Sequence, residues 1–407
     1  LDAALSFRGA ASASRLFFEM LSIPVETPSF SSIRFWILRL GYYKLMYQQK
    51  ITTPYCLMLD HIILLDTTKV LLVTAIELSN VPALGEALTL KHLLPVAVIP
   101  VEKSTGEIVY QQLEEISFKI GMAPRGIISD HGSDLKKGEK IYCERHPETD
   151  SFYDITHKNA CVLKKYLKDD PIWIQFCDNL TITRRKLQNT VLSTYSPPSF
   201  KRKARYMNLE DTIVWAHRIL SYSDSEVTHF TQDEKDVFDD NFDWIYSFSK
   251  DIGQWKEMIA ITKVTETLIR KYGITVDTSK ELALFPEMSP STLKAQKMSA
   301  DIVEFVTLES MKVKIGERIP GTTEIIESVF GKYKRIAKDQ MKNGFTSLIL
   351  VISAMLSETT VEVVEKAMTA VRTLSIKEWS DEHLGETENT KRRKFHKIAD
   401  ANLVGIC

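Results

Sequence analysis

Residues 54–155 constrain the fold more than any other part of the chain, because strand-like and helical patterns alternate there in a definite order. Apolar and β-branched runs with the length of a strand cover 56–64, 70–78, 94–101, 124–129 and 152–155. Apolar residues at helical spacing cover 105–121 and 134–145. The sequence therefore predicts an α/β domain in the order three strands, helix, strand, helix, strand.

Two of the strand-like runs carry an aspartate where an uncompensated charge is costly. Asp60 lies within the first run, and Asp130 directly follows the fourth. A buried carboxylate loses hydration, and a bound cation offsets that loss. A third carboxylate, Glu327, lies in a much later helical segment. The three together predict a divalent metal site, with Asp134 and Glu324 as competing ligands close by in sequence.

Spacing favours Glu327 and Asp130 over the competing carboxylates. Glu324 and Glu327 share a helix face, but Gly331 and Lys334 follow Glu327 by four and seven residues. That spacing puts a glycine and a lysine on the face of Glu327, where DNA can approach the helix closely. Asp134 is assigned instead to the first turn of the next helix.

Composition excludes several classes of protein. With 407 residues, 44% hydrophobic and 26% charged, the chain is long enough for two or three globular domains. No apolar run approaches the length of a membrane span, so we expect no membrane partner. The five cysteines are odd in number and have no Cys-x-x-Cys spacing, which argues against a disulfide framework and a structural zinc. We expect a cytoplasmic protein, and residues upstream of Leu1.

The first 50 residues predict a small helical DNA-binding unit. Helical patterns cover 11–21 and 31–45, with Pro24 and Pro28 between them. The second pattern interleaves Arg34 and Arg39 with apolar residues, which fits the recognition helix of a helix-turn-helix. An ordinary helical hairpin is the alternative.

Basic clusters predict further contacts with phosphate, although the net charge of the chain is −1. Any such cluster is alternatively a solvated face, and His157 alternatively makes only a local hydrogen bond with Asp154. The candidate DNA-binding residues beyond the first unit are His157, Lys158, Lys201, Arg202, Lys203, Lys332, Lys334 and Arg335.

Changes of pattern along the chain predict five regions. A long stretch with only helical patterns separates the fifth strand from the segment of Glu327. The predicted regions are 1–50, helix-turn-helix and linker; 51–157, first part of a catalytic domain; 158–320, helical insertion; 321–375, completion of that domain; and 376–407, a polar basic tail.

The strand order and the carboxylates resemble a known family. The order of elements is that of the ribonuclease H-like fold, in which the first strand is central and the fourth pairs beside it. Asp60, Asp130 followed by His-Gly, and Glu327 in the sequence Glu-Ser-Val-Phe-Gly-Lys-Tyr-Lys look like the Asp, Asp, Glu triad of bacterial insertion-sequence transposases.

The resemblance implies a metal-dependent transposase. Its triad would hold two Mg²⁺ ions, with Mn²⁺ able to substitute, and would nick and join double-stranded DNA at element ends and target sites. Joining two ends implies a homo-oligomer on DNA, associated with the nucleoid. Two alternatives stay open: a transposase-derived DNA-binding protein without cleavage activity, and a ribonuclease H-like nuclease that cuts without joining.

Overall fold

The chain folds into two compact units, one α/β and one helical. The computed structural model describes residues 1, 3–47, 51–65, 68–101, 103–199, 206, 209–222, 230–338, 346–384 and 395. The α/β unit combines Leu1–Phe152 with Thr322–Cys407, and the helical unit is Tyr153–Gly321. The α/β unit is therefore built from two stretches of chain that are far apart in sequence.

A mixed five-stranded sheet forms the centre of the α/β unit. The elements up to the end of the sheet are α1 (Phe7–Met20), α2 (Phe30–Met46), β1 (Tyr55–Leu65), β2 (Thr68–Glu77), β3 (Leu94–Val101), α3 (Gly106–Ile120), β4 (Gly126–Ser129), α4 (Ser133–Arg145) and β5 (Asp150–Tyr153). The second stretch adds α12 (Glu324–Lys338), α13 (Leu350–Met355), α14 (Val361–Ala370) and α15 (Thr373–His383). These elements confirm the predicted α/β class and the predicted order of strands and helices.

The strands are arranged in the order β3-β2-β1-β4-β5. β1 lies at the centre, antiparallel to β2 and parallel to β4. β5 begins two residues earlier than the sequence predicted, because the Asp150 N–H extends the pairing by donating to the Arg125 carbonyl. A parallel neighbour on one side and an antiparallel one on the other make the sheet mixed.

Helices α3 and α4 pack against the sheet through apolar side chains, and they approach each other closely at a glycine. Leu57 and Leu59 of β1 are fully buried in the core cluster that also contains residues of α3 and α4. A Cβ on Gly138 of α4 would lie 2.6 Å from Val109 of α3, well inside normal contact. The close approach of these helices therefore requires glycine at this position.

Helix α2 packs against several other elements of the α/β unit, and its role as a recognition helix stays a prediction. It contacts α13, α14, α15 and β3 as well as α1. A Cβ on Gly41 would lie 1.9 Å from the Leu350 carbonyl oxygen, so α2 and α13 touch backbone to backbone. Both predicted N-terminal helices exist, and three of the partners of the second, α13, α14 and α15, lie more than 300 residues later.

The helical unit surrounds an aromatic core. Its helices are α5 (Ile155–Leu167), α6 (Pro171–Leu187), α7 (Glu210–Ser221), α8 (Gln232–Phe242), α9 (Ser249–Tyr272), α10 (Thr278–Ala283) and α11 (Leu293–Ser310). Trp173 and Trp255 pack edge to face with ring centroids 4.8 Å apart, and both are buried. Across the described residues, no helix combines the length and the apolar character that crossing a membrane would need.

Candidate functional site

The parallel pairing of β1 and β4 brings the two candidate aspartates to the same level of the sheet. The register pairs Met58 with Ile128, and two further residues along each strand lead to Asp60 and Asp130. β4 ends at Ser129, so Asp130 begins the turn that leaves the sheet. Residues 70 apart in sequence thus lie on neighbouring strands, which was the arrangement expected from the strand order.

Both aspartates are partly exposed and are oriented by nearby backbone N–H groups. The Asp60 carboxylate accepts a hydrogen bond from the His61 N–H over 2.6 Å. The Asp130 Oδ1 atom accepts one from the Gly132 N–H over 2.8 Å. Backbone donors of this kind fix the direction in which a carboxylate points without neutralising its charge.

Asp134 and His61 form a second polar group beside Asp130. The pKa of His61 is lowered by burial, although the negative charges of Asp134 and Asp130 oppose that shift. Burial would raise the pKa of Asp134, but the adjacent Ser104 hydroxyl and the charge of His61 hold it below its usual value. Lys69 lies 4.0 Å from Asp134 Oδ2. Asp134 therefore stays ionised and belongs to the first turn of α4, as predicted.

Glu327 lies in the same unit, on α12, with an exposed side chain. Among the residues that the structure describes, no three His, Cys, Asp or Glu side chains are grouped so that they could hold a metal ion. Asp60 and Asp130 are thus neighbours, and the structure does not join Glu327 to them in a three-carboxylate site.

Helix α12 divides sharply into an apolar and a charged face. Ile326, Val329, Phe330, Tyr333 and Ile336 are buried, and burial raises the pKa of Tyr333 to about 12. The exposed residues between them include Glu327, Ser328, Gly331, Lys334, Arg335 and Lys338, while Lys332 is half-buried. A Cβ on Gly331 would meet no atom within 4 Å. Gly331 and Lys334 therefore share the exposed face of Glu327, which was the geometry inferred from their spacing.

Arg39 of α2 has partners within the α/β unit. Its Nε atom donates to the Val371 carbonyl over 2.7 Å, and its Nη2 atom donates to the Met368 carbonyl. Both carbonyls lie at the C-terminal end of α14, where a cation is favourable. This position gives Arg39 a structural role, and DNA binding by Arg39 stays a prediction.

Arg34 lies on the exposed part of the same helix but is not fully solvated. Burial lowers its pKa, and its guanidinium lies 5.7 Å from the centroid of the Phe35 ring. Arg34 also lines a cavity of about 570 Å³ together with residues of α15. DNA binding by Arg34 stays a prediction.

The other candidate DNA-binding residues belong to the helical unit. Asp154 is the N-cap of α5 and accepts the backbone N–H of His157 over 2.9 Å, a hydrogen bond that does not involve the His157 ring. DNA binding by His157 stays a prediction. The Lys158 ammonium lies 4.7 Å from the centroid of the Phe305 ring. Lys201, Arg202 and Lys203 lie outside the described residues.

A buried hydrogen-bonded group behind Asp130 was missed by the sequence reasoning. The side chain of Glu139 on α4 is 0% exposed, and its Oε2 atom accepts the Ser151 hydroxyl over 2.5 Å. His131 Nε2 lies 2.9 Å from Ser151 Oγ and 3.4 Å from Glu139 Oε2. The three residues come from different elements, and Glu139 stands in a lysine-rich sequence that looks solvated, so no local pattern marks it.

Comparison with known proteins adds no relative. No protein-family model matches the chain, and no curated protein matches it.

Proposed function

We propose that this protein is a metal-dependent DNA transposase with a ribonuclease H-like catalytic domain. The observation that carries the proposal is the level pairing of Asp60 and Asp130 on β1 and β4, in a sheet with the order β3-β2-β1-β4-β5. Two carboxylates at one level of a mixed sheet, with basic residues on a helix of the same unit, suit chemistry on a phosphodiester.

The donor atoms of the two aspartates fit a hard divalent cation. Mg²⁺ and Mn²⁺ prefer carboxylate oxygens, and Mg²⁺ is often held by only one or two carboxylates together with water and substrate phosphate. Asp60 and Asp130 meet that description because both are partly exposed. Glu327 is proposed as the third ligand, which requires its exposed carboxylate to approach the aspartates when DNA and metal bind.

The chemistry follows from this ligand set. When bound, a pair of Mg²⁺ ions supplies Lewis-acid activation of the attacking oxygen and charge stabilisation of the leaving oxygen. Asp60 and Asp130 contribute fixed negative charge, held in direction by the His61 and Gly132 N–H groups. The same site would serve both hydrolytic nicking, with water as nucleophile, and strand transfer, with a 3′-hydroxyl as nucleophile.

The exposed face of α12 is the proposed contact with the DNA backbone. Lys334 and Arg335 are exposed and would neutralise phosphate charge. Gly331 lies one turn before them and leaves the helix backbone uncovered. Transposition joins two DNA ends, so we propose that two or more copies of the chain act together on DNA, in the cytoplasm at the nucleoid.

A DNA-binding protein without cleavage activity is the second candidate. One observation favours it: within the described parts of the chain, Glu327 is not grouped with Asp60 and Asp130. In that case the α12 face would still bind DNA, but the aspartates would hold no catalytic metal pair.

A nicking and strand-transfer assay separates the candidates. The intact chain, Asp130→Asn and Glu327→Gln are incubated with Mg²⁺ and DNA that contains the sequences flanking its gene. Glu324→Gln is the matched control, because Glu324 lies three residues before Glu327 on the same helix. We expect nicked and joined products from the intact chain and the control, and loss of at least 100-fold in both carboxylate variants, with DNA binding kept.

Three other outcomes would change the conclusion. Binding without any nicking in Mg²⁺ or Mn²⁺ would favour the second candidate. Nicked products without joined products would indicate a nuclease of the same fold. Equal losses for Glu324→Gln and Glu327→Gln would contradict the assignment of Glu327.

A further inference from the structure

We propose that Glu139, Ser151 and His131 form a chain of hydrogen bonds, anchored at the buried Glu139, that positions the Asp130 carboxylate for a divalent metal ion. The three are positioning residues, since none of them is itself a proposed ligand. The inference rests on the proposed function, because it takes Asp130 as a metal ligand.

The direction of the hydrogen bonds is fixed by the single proton of the serine hydroxyl. Ser151 donates that proton to Glu139 Oε2 over 2.5 Å, so Ser151 Oγ must act as the acceptor toward His131. His131 Nε2 therefore carries a proton and donates it over 2.9 Å. The fully buried Glu139 carboxylate is the end of the chain, and it anchors the imidazole ring of His131 from within the fold.

The anchored ring holds an unusual backbone conformation next to Asp130. His131 has φ of 50°, in the left-handed region that residues with a Cβ seldom occupy. Its N–H donates to Ser129 Oγ over 3.1 Å, and the next N–H, that of Gly132, donates to Asp130 Oδ1. The turn is thus fixed through Ser129 on one side of Asp130 and through the His131 ring on the other.

Two other roles for the group are less consistent with its geometry. A serine nucleophile needs its proton to pass to a histidine base, whereas Ser151 donates directly to the Glu139 carboxylate. A role in stability alone would not require an ionisable side chain that is 0% exposed and lacks a hydrogen-bond partner for Oε1 among the described residues. Fixing the direction of a metal-ligating carboxylate explains why the protein buries a carboxylate, Glu139, that is linked through Ser151 and His131 to the residue next to Asp130.

The test measures binding of Mn²⁺ alone to the full chain by electron paramagnetic resonance, with thermal unfolding measured in parallel. Ser151→Ala removes the central hydroxyl, and Ser151→Thr restores a hydroxyl at the same position. Ser117→Ala is the matched control, because Ser117 also makes a short buried hydrogen bond, 2.6 Å to Tyr142, in the same unit. His131→Gly removes the anchored ring while allowing the left-handed backbone.

We expect Ser151→Ala and His131→Gly to weaken Mn²⁺ binding by about 10-fold or more, in the range found for residues that orient metal ligands. Ser151→Thr and Ser117→Ala should bind Mn²⁺ as the intact chain does, even where Ser117→Ala unfolds at a lower temperature. Unchanged Mn²⁺ affinity in Ser151→Ala, with affinity lost in Asp130→Ala, would overturn this inference and leave the proposed function standing. If the intact chain binds no Mn²⁺, or if Asp130→Ala binds it equally well, the metal site itself is wrong and the inference falls with it.

Discussion

Helices α2 and α12 both interleave basic residues with apolar ones, yet they place their cations differently. In α2, Lys44 is 4% exposed and donates to the Leu356 carbonyl over 2.6 Å and the Ser357 carbonyl over 3.0 Å. In α12, Lys334 and Arg335 are exposed on a face that no apolar residue interrupts. Interleaved cations therefore serve structure in one helix and, we propose, DNA in the other.

The difference arises from how many sides of each helix are covered. The buried residues of α12 recur at helical spacing and form one stripe, so every cation off that stripe reaches solvent. Helix α2 is covered by α1, β3 and three later helices, and two of its cations, Arg39 and Lys44, meet carbonyl groups near helix C-termini. A basic helix thus predicts a nucleic-acid surface only when its apolar residues fall on a single face.

The largest expected effect is on stability, at Lys44. Lys44→Met should lower the free energy of unfolding of the α/β unit by about 3 kcal/mol, because buried carbonyl groups lose a charged donor. Hydrogen exchange at the amides of α13 measures this effect. Lys334→Met is the control on the other helix and should change stability by less than about 0.5 kcal/mol. Equal effects at the two lysines would remove the distinction between the helices.

A smaller loss of stability is expected for a substitution at Arg39. Arg39→Lys should lower the free energy of unfolding by about 1–2 kcal/mol, since one ammonium group cannot replace two guanidinium donors that reach the Val371 and Met368 carbonyls. The thermal unfolding midpoint gives the loss, and binding to DNA should not change. A variant with normal stability but weaker, less salt-dependent DNA binding would show that α2 does contact DNA.

The exposed cations of α12 should affect DNA binding and leave stability unchanged. Lys334→Gln and Arg335→Gln should each reduce the slope of log affinity against log salt concentration by about 1, as expected for loss of one phosphate contact. Fluorescence anisotropy with labelled DNA over a series of KCl concentrations provides the slopes. Slopes that match the intact chain in both variants would exclude this face as the contact.

The smallest expected change in stability is at Gly331, where the substitution should stabilise the protein and not destabilise it. Gly331→Ala should stabilise the protein by about 0.5–1 kcal/mol, because a helical glycine is entropically costly and the added Cβ meets no atom. It should also weaken DNA binding if the helix backbone lies against DNA. Gly253→Ala is the matched control, since Gly253 is an exposed glycine within α9 whose Cβ also meets no atom. A gain in stability with normal DNA binding in both variants would show that no partner approaches Gly331 closely.

Sequence patterns were sufficient for the elements of the sheet, because period and turn residues are local signals. The level pairing of Asp60 with Asp130 was expected from the resemblance to the ribonuclease H-like order of elements, in which the first strand is central and the fourth pairs beside it. The roles of Arg39 and Glu139 could not be predicted in that way. Their contacts depend on partners from other elements, and the residues around Glu139 include several lysines that suggest a solvated helix.

The contact between Gly41 and the Leu350 carbonyl has a consequence for how the protein is made. Lys44 and Ala354, which meet at the same helix pair, are 310 residues apart in sequence. At ribosomal speeds of about 5–20 residues per second, α2 emerges roughly 15–60 s before α13 exists to cover it. During that interval the side of α2 that packs on α13 is uncovered, and any truncated product ending before residue 350 would keep that side uncovered permanently.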